Sequence, residues 1–403
     1  MNKITIKQEK RMKMMTKLHS GMFFLLLSGY FLSAQNISVQ SESGLNVTFG
    51  GEVEMEFVDV EGPGGFTNQD LTYQKVDNRS PHMRIDKAIL STKIDYSENL
   101  YYKFELRFGD KKANVDKHYA RLTLPSLGTR LEIGKNKPMI ATKRQTEGYP
   151  LIGTAFWKGR EYHITSETDL DMPGPINLEL GLSFAMKRPI ETDDAAEDKS
   201  FKMMVYGDYD DKDGQTFEYG GMLGLKAFGL SAKGWYYTGA LMDDYDWKTA
   251  LGGLPGYDDI ADAYNDGDMS DLTHWWYGGR AGFDRGDIHL SAEYINAQDG
   301  LVPRNGYYLE GSYRMNYFKF LPVQFIEPVI RYGELNMERH PPQLGDPETW
   351  DRTMTTIAIL APLNEFVLIK CEYYILDEVT GGSDPEDKFV EDDQLLIQIR
   401  YEF

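Results

Sequence analysis

From residue 46 onward the chain alternates between apolar and polar side chains in runs of about ten. The segment PINLELGLSFAMK places Ile176, Leu178, Leu180, Leu182, Phe184 and Met186 at one parity. Asn177, Glu179, Gly181, Ser183, Ala185 and Lys187 take the other. NLYYKFELRFGD sets Tyr102, Phe104, Leu106 and Phe108 against Lys103, Glu105 and Arg107. NVTFGGEVEMEF sets Val47, Phe49, Val53, Met55 and Phe57 against Glu52, Glu54 and Glu56. In the closing LLIQIRYEF, Leu395, Ile397, Ile399, Tyr401 and Phe403 share a parity, while Gln398, Arg400 and Glu402 take the opposite one together with Leu396. Alternate side chains of a strand point to opposite faces, so each run has one greasy and one wet face. Strands of soluble sandwiches are usually about 5 or 6 residues long. Runs of about 10 residues match a tilted crossing of a bilayer.

Seventeen such segments can be marked, near 46–60, 82–97, 99–110, 117–124, 129–134, 160–169, 175–187, 200–210, 216–228, 230–240, 272–284, 286–297, 304–316, 321–335, 352–361, 364–377 and 393–403. A bacterial single-chain barrel needs an even number. The expected fold is therefore all-β, a transmembrane antiparallel barrel of 16 strands, with 18 as the alternative. Connections alternate in length. SEN, Phe228–Gly229, Arg285–Asp287 and PLN are short, whereas 61–81, 135–159, 188–199, 241–271 and 336–351 are long. Short turns on one side and long loops on the other are the habit of such barrels.

The start of the chain bears on compartment. MNKITIKQEKRMKMMTKLHSG is basic, MFFLLLSGYFL is an apolar run too short to span a bilayer as a helix, and Ala34 offers a small residue for cleavage. A secretory signal over 1–34 and a barrel over 35–403 are expected. Cleavage would remove six of the 43 basic residues and one of the 63 acidic ones, leaving a net charge near −25. Such acidity disfavours nucleic acid as a partner. The single cysteine, Cys371, sits at an apolar parity and cannot form an internal disulfide.

Against that acidic background one stretch is basic. GKNKPMIATKRQTEGYPLIGTAFWKGR carries Lys135, Lys137, Lys143, Arg144, Lys158 and Arg160, opposed only by Glu147. Its apolar content, including Tyr149, Leu151, Ile152, Phe156 and Trp157, suits a loop that folds inward and packs on the wall. A constriction lined by fixed positive charge favours anions. The alternative is that these cations neutralise wall carboxylates such as Glu105, Glu132 and Glu179. Arg84, Arg107, Arg121, Arg130, Arg314, Arg331, Lys370 and Arg400 fall at wet parities among Glu293, Glu310, Glu327 and Glu372, so the lumen is mixed in sign. The aspartate-rich 241–271 loop lacks calcium-loop spacing, and no metal ligand or cofactor is assigned. No G-x-S-x-G, H-E-x-x-H or paired-cysteine motif marks an enzyme, although His118, His163, His274 and His289 leave a noncontiguous site open.

Several stretches, in order, carry a resemblance: RIDKAILSTKIDY with YYKFELRFGD, HYARLTLPSLGTRLEIGKNKP with its turn at Gly134–Pro138, KGREYHI, AEYINAQDG, NGYYLEGSYRM, IEPVIRYGE and IQIRYEF. The chain resembles the phosphate-selective porin O and P family of outer-membrane proteins. That resemblance implies a 16-stranded, usually trimeric porin in the lipid and lipopolysaccharide of the outer membrane, passing small anionic or neutral solutes. It also implies an inward loop whose basic residues line the anion path, here Lys135, Lys137, Lys143, Arg144, Lys158 and Arg160; Arg107 and Arg121 join them as candidates from their wet parity on the wall. The interspersed carboxylates depart from a strongly basic channel. A barrel enzyme, or an adhesin or anchor without a conducting pore, is the other reading.

Overall fold

The computed structural model describes residues 37–40, 44–60, 81–108, 113–143, 145–186, 217–240, 273–299, 302–317, 321–337, 351–379 and 393–403. Residues 1–34, the expected strand near 200–210, Arg144, and the 188–199 and 241–271 connections lie outside them. The described strands are β1 (Ile37–Gln40), β2 (Asn46–Val60), β3 (His82–Ser97), β4 (Leu100–Phe108), β5 (Ala113–Leu124), β6 (Thr129–Asn136), β7 (Glu161–Met172), β8 (Ile176–Met186) and β9 (Phe217–Ala227). They continue as β10 (Leu230–Ala240), β11 (Thr273–Arg285), β12 (Ile288–Asp299), β13 (Val302–Tyr313), β14 (Glu327–Met337), β15 (Asp351–Pro362), β16 (Val367–Val379) and β17 (Gln394–Glu402).

Each strand from β2 to β17 pairs antiparallel with its neighbours in sequence, and β17 returns to β2 over Gln394↔Val60 to Glu402↔Glu52. The result is a closed barrel of 16 strands. An extra strand, β1, pairs with β2 over Ile37↔Phe49 to Gln40↔Asn46. Because β17 stops opposite Glu52, β1 continues along β2 where the C-terminus leaves off. Phe403 and Gly51 exchange two backbone hydrogen bonds, at 2.7 and 2.9 Å, next to that junction.

The alternation read from sequence becomes an outside and an inside. Leu182 is 69% exposed and Glu179, three residues earlier on β8, is 6% exposed. Ile164, Leu223, Ile330, Leu309 and Ile357 continue the exposed apolar face around the barrel. Three irregularities correct a strict period of two. The β2–β3 register shifts between Glu54 and Met55, so Arg84 and Lys87 both pair with inward glutamates. Similar shifts occur beside Asp95 and beside Glu105. A bulge of this kind re-aims side chains without ending the strand.

Short turns close one end. The β9–β10 hairpin turns on Phe228 and Gly229 with φ of 54° and 84°, the pair of positive angles that a two-residue hairpin of matching twist requires. The one α-helix among the described residues, α1 (Leu151–Phe156), lies in the β6–β7 connection. No helix among the described residues is long and apolar enough to cross a membrane. The main buried cluster sits inside the barrel, where Ile140, Leu151, Ile152, Phe156 and Trp157 of that connection meet Trp235, Tyr237, Trp276, Ile295, Tyr308 and Leu335 of the wall.

Closure at the seam gives a direct prediction. A Cβ on Gly51 would stand 2.6 Å from the Ile89 carbonyl oxygen and 2.6 Å from the Phe403 ring. Gly51→Val should therefore lower the heat-modifiable folded fraction on electrophoresis, with a cost of about 1–3 kcal/mol from overpacking. Deletion of Phe403 should do the same by removing both terminal hydrogen bonds. Wild-type folding yields for both variants would show that the seam does not limit assembly.

Candidate functional site

The β6–β7 connection, residues 137–160, runs inside the barrel and is fixed to the far wall at many points. Arg280 Nη1 donates to the Ile140 carbonyl at 2.8 Å, and its Nε donates to Glu293 at 2.6 Å. The Glu147 amide donates to Glu372 on β16 at 2.7 Å, and the Gly148 amide donates to the Tyr374 hydroxyl at 2.8 Å. Lys370 Nζ meets the Glu147 carboxylate at 2.9 Å. Trp157 Nε1 donates to Glu293 at 2.9 Å.

Arg331 on β14 is the centre of this attachment. It is 1% exposed, and its guanidinium donates to Thr146 Oγ1 at 2.9 Å, the Gly148 carbonyl at 2.8 Å, Thr356 Oγ1 at 3.2 Å and Glu310 at 3.2 Å. Aromatic packing seals the rest. Phe156 stacks on Trp276 at 5.8 Å, Trp276 stacks on Tyr237 at 4.5 Å, and Arg304 covers the Phe156 ring at 4.7 Å. Trp276 and His274 share Glu218 beneath them. The wall accommodates the segment by omitting side chains. A Cβ on Gly306 would lie 2.6 Å from Ile152. The segment thus occupies the interior as a fixed inward fold and narrows the lumen.

The basic residues read from sequence divide by environment. Lys137 donates to the Tyr149 hydroxyl at 2.6 Å, and Lys158 stands 5.7 Å from the same ring. Lys143 is exposed, and Arg160 pairs with Asp116 of β5 at 2.6 Å. Arg107 and Arg121 lie at inward positions of β4 and β5; Arg121 is held by Glu132 with Nε–Oε2 of 2.9 Å. Lys135 differs from the rest. It shares parity with the outward Ile133, pairs in register with Tyr162, and donates to the Val115 carbonyl at 3.2 Å.

The wall carboxylates proposed as neutralising partners have partners of their own on the wall. Glu105 meets Lys103 and Lys117, Glu132 meets Arg121 and His163, and Glu179 meets Lys226 and Lys233. Glu54, Asp86 and Glu147 bring oxygens within 4.8 Å of one another, but Lys87, Arg84 and Lys370 contact them. Arg331 and Glu372 are read from the sequence as wet-parity lumen residues but not as anchors, and Tyr374, Trp276 and Glu218 are not singled out at all. The one signal available was a run of cations and glutamates at wet parities on β14 and β16.

No protein-family model matches the chain, and no curated protein does. Solved structures match over about nine-tenths of the chain. It is similar to the outer membrane channel DcaP of Acinetobacter baumannii at 11% identity, covering 91% of this chain and 99% of that one, with a TM-score of 0.59. It is similar to OmpF of Salmonella typhi, solved with daunomycin, at 12% identity, 91% and 100% coverage and a TM-score of 0.59. An anion-selective porin from Comamonas acidovorans matches at 15% identity, 89% and 100% coverage and a TM-score of 0.54. At these identities the likeness is one of fold, and the fold is that of the outer-membrane porins.

The attachment predicts what its loss would do. Arg331→Met leaves the Gly148 carbonyl and Glu310 without their buried cation, a loss of about 3–5 kcal/mol. The folded barrel should survive while the inward segment loosens, so single-channel current should rise or become noisy. A quiet trace of wild-type amplitude would mean that Arg331 does not hold the segment.

Proposed function

We propose that this chain is an outer-membrane porin for passive diffusion of small hydrophilic solutes, with a preference for anions and with phosphate among them. The observation that carries the reading is a closed barrel, apolar outside and charged inside, whose interior is narrowed by a segment anchored to the wall. Selectivity in such a channel is a matter of width and fixed field at the constriction. No reaction, cofactor or metal is invoked, and the barrel enzyme and the closed adhesin or anchor are set aside.

The anion preference rests on the balance of residues 135–160, where Lys135, Lys137, Lys143, Arg144, Lys158 and Arg160 face a single Glu147. Of these, Lys137, Lys143, Lys158 and Arg160 form the inward path, with Arg107 and Arg121 on the opposing wall. Lys135 stands apart from that path, buried and donating to the Val115 carbonyl at 3.2 Å. Residues 1–34 act as a cleaved secretory signal, a reading from their basic stretch, short apolar run and Ala34, and 35–403 assemble as a homotrimer in lipid and lipopolysaccharide, a reading from the sequence resemblance.

In a planar bilayer the purified protein should give stable ohmic steps. With a salt gradient, Lys143→Glu combined with Arg144→Glu should move the reversal potential toward that of the cation. An unchanged potential would remove this segment from the selectivity filter, and the absence of steps would remove the porin reading.

A further inference from the structure

The outer face of the barrel carries a depression across β8 to β13, with a volume of about 800 Å³. Its floor follows from two rows of the strand register. In the first, Ala232, Ala281 and Ala292 stand side by side, between Leu225 on β9 and Leu309 on β13. In the second, Gly234 and Gly279 are paired, between Leu223 on β9 and Tyr294 on β12. These positions share the outward parity of Leu223 and Leu309, which are 56% and 55% exposed. Small residues form the floor, and large apolar ones rise at the sides.

Folding does not demand the two glycines. Among the described residues, a Cβ on Gly234 would come no closer than 3.8 Å to another group, and one on Gly279 no closer than 3.6 Å. Other glycines nearby are forced. A Cβ on Gly220 would lie 2.4 Å from the Tyr236 carbonyl oxygen, and one on Gly278 would lie 2.6 Å from Trp235. Glycine inside a strand weakens it and often marks a close approach by a ligand. Branched and aromatic side chains would suit this sheet better. The hollow therefore costs the sheet stability and keeps room for something outside it.

The edge of the same face carries a cation. Arg285 shares the parity of Gly279, Ala281 and Phe283 on β11, lies beside the short turn at Gly286, and is exposed. Asp284, at the other parity, meets His289 at 2.6 Å, and no described carboxylate pairs with Arg285. Four residues of strand, about 13 Å, separate Arg285 from Ala281. One leaflet of the hydrocarbon core is about 15 Å deep. A molecule with its head at Arg285 and a tail running over the half-buried Phe283 thus reaches the hollow. An apolar tail with a phosphate head matches both ends, because arginine holds phosphate through paired N–H donors.

We propose that this depression is a specific site for one phospholipid of the leaflet on the short-turn side. Its acyl tail rests on the alanines and glycines, and its phosphate meets Arg285. The site rests on the barrel's place in a bilayer and not on conduction through the lumen.

The test reconstitutes the full-length barrel in vesicles of phosphatidylethanolamine and phosphatidylglycerol. The protein is then extracted in mild detergent, and bound lipid is counted by native mass spectrometry. The wild type should keep one phospholipid per chain, and a diacylglycerol lacking phosphate should not replace it. Gly279→Leu, where a Cβ has room, should lower occupancy roughly tenfold or more, as expected when several methylenes lose their seat. Arg285→Gln should lower it by a similar factor through loss of a charged hydrogen bond. Both variants should keep wild-type heat-modifiable mobility and conductance. If Gly279→Leu does not fold, Arg285→Gln at the exposed rim decides alone. No phospholipid retained by the wild type, or equal retention by the variants, overturns the site. Loss of the oligomer in Gly279→Leu with lipid retention unchanged would assign the hollow to a second copy and also overturn it. Lipid retention by a barrel that gives no conductance steps would uphold the site and overturn the pore.

Discussion

Lipid offers no partner to a backbone N–H or C=O, so a sheet that crosses it must close on itself. Here that demand is met by β17 returning to β2, and β1 extends the pairing of β2 past the C-terminus. Closure forces everything else. Sixteen strands enclose more space than wall side chains can fill. The interior must then hold water or more protein, and this chain uses both. The β6–β7 connection fills the region against β10–β16 with a dry aromatic core, and what remains is left to charge and water.

The dry region is unusual in where it puts its cations. Arg304, Arg331, Arg352 and Lys370 are each 2% exposed or less, on four consecutive strands. Taking a cation out of water costs several kcal/mol unless the site returns hydrogen bonds and an opposing charge. At Arg331 the returns are two carbonyl and hydroxyl groups of the inward segment, a wall threonine and Glu310. At Lys370 the return is Glu147 of the segment itself. Arg331 and Lys370 therefore meet these segment partners only when the segment is in place. An apolar wall could hold the same segment in several registers, whereas point charges matched to Thr146, Glu147 and Gly148 admit one.

The fold was largely legible because a barrel in lipid writes itself as parity. Sixteen of the seventeen expected segments coincide with strands, and the remaining one, near 200–210, falls outside the described residues. Parity fails where the backbone slips. In RIDKAIL a strict alternation puts Arg84, Asp86, Ala88 and Leu90 together, but the bulge sends Lys87 inward beside Glu54 and leaves Leu90 on the exposed face. β1 was missed because four residues hold too little alternation to be seen. Charge alone groups Lys135 with the inward cations, although its register with Tyr162 places it at the other parity. The inward course of 137–160 was readable from its apolar content; its anchors were not. Glu147 and Glu372 are 225 positions apart, and nothing local links an amide to a carboxylate at that range.

Pairing changes what the mixed lumen can do to a passing ion. Arg121 sits on Glu132, Arg160 on Asp116, Lys233 on Glu179 and Arg314 on Glu327, at separations of 2.6 to 3.2 Å. With screening over about 8 Å at physiological ionic strength, a solute at mid-lumen meets each such pair as a small dipole and not as two charges. Such dipoles orient a polar solute and leave the sign of the field along the pore almost unchanged. An axial preference would then depend on how far each cation stands from its carboxylate and what else orients it. Rings contribute to such orientation: Lys137 stands 4.8 Å from the Tyr149 ring, and Lys93 stands 4.7 Å from the Tyr101 ring while also meeting Asp95 at 2.6 Å. A strong overall excess of acid in the sequence therefore does not by itself set the sign of the field along the pore, because paired charges cancel locally and only the net charge facing the water acts on a solute.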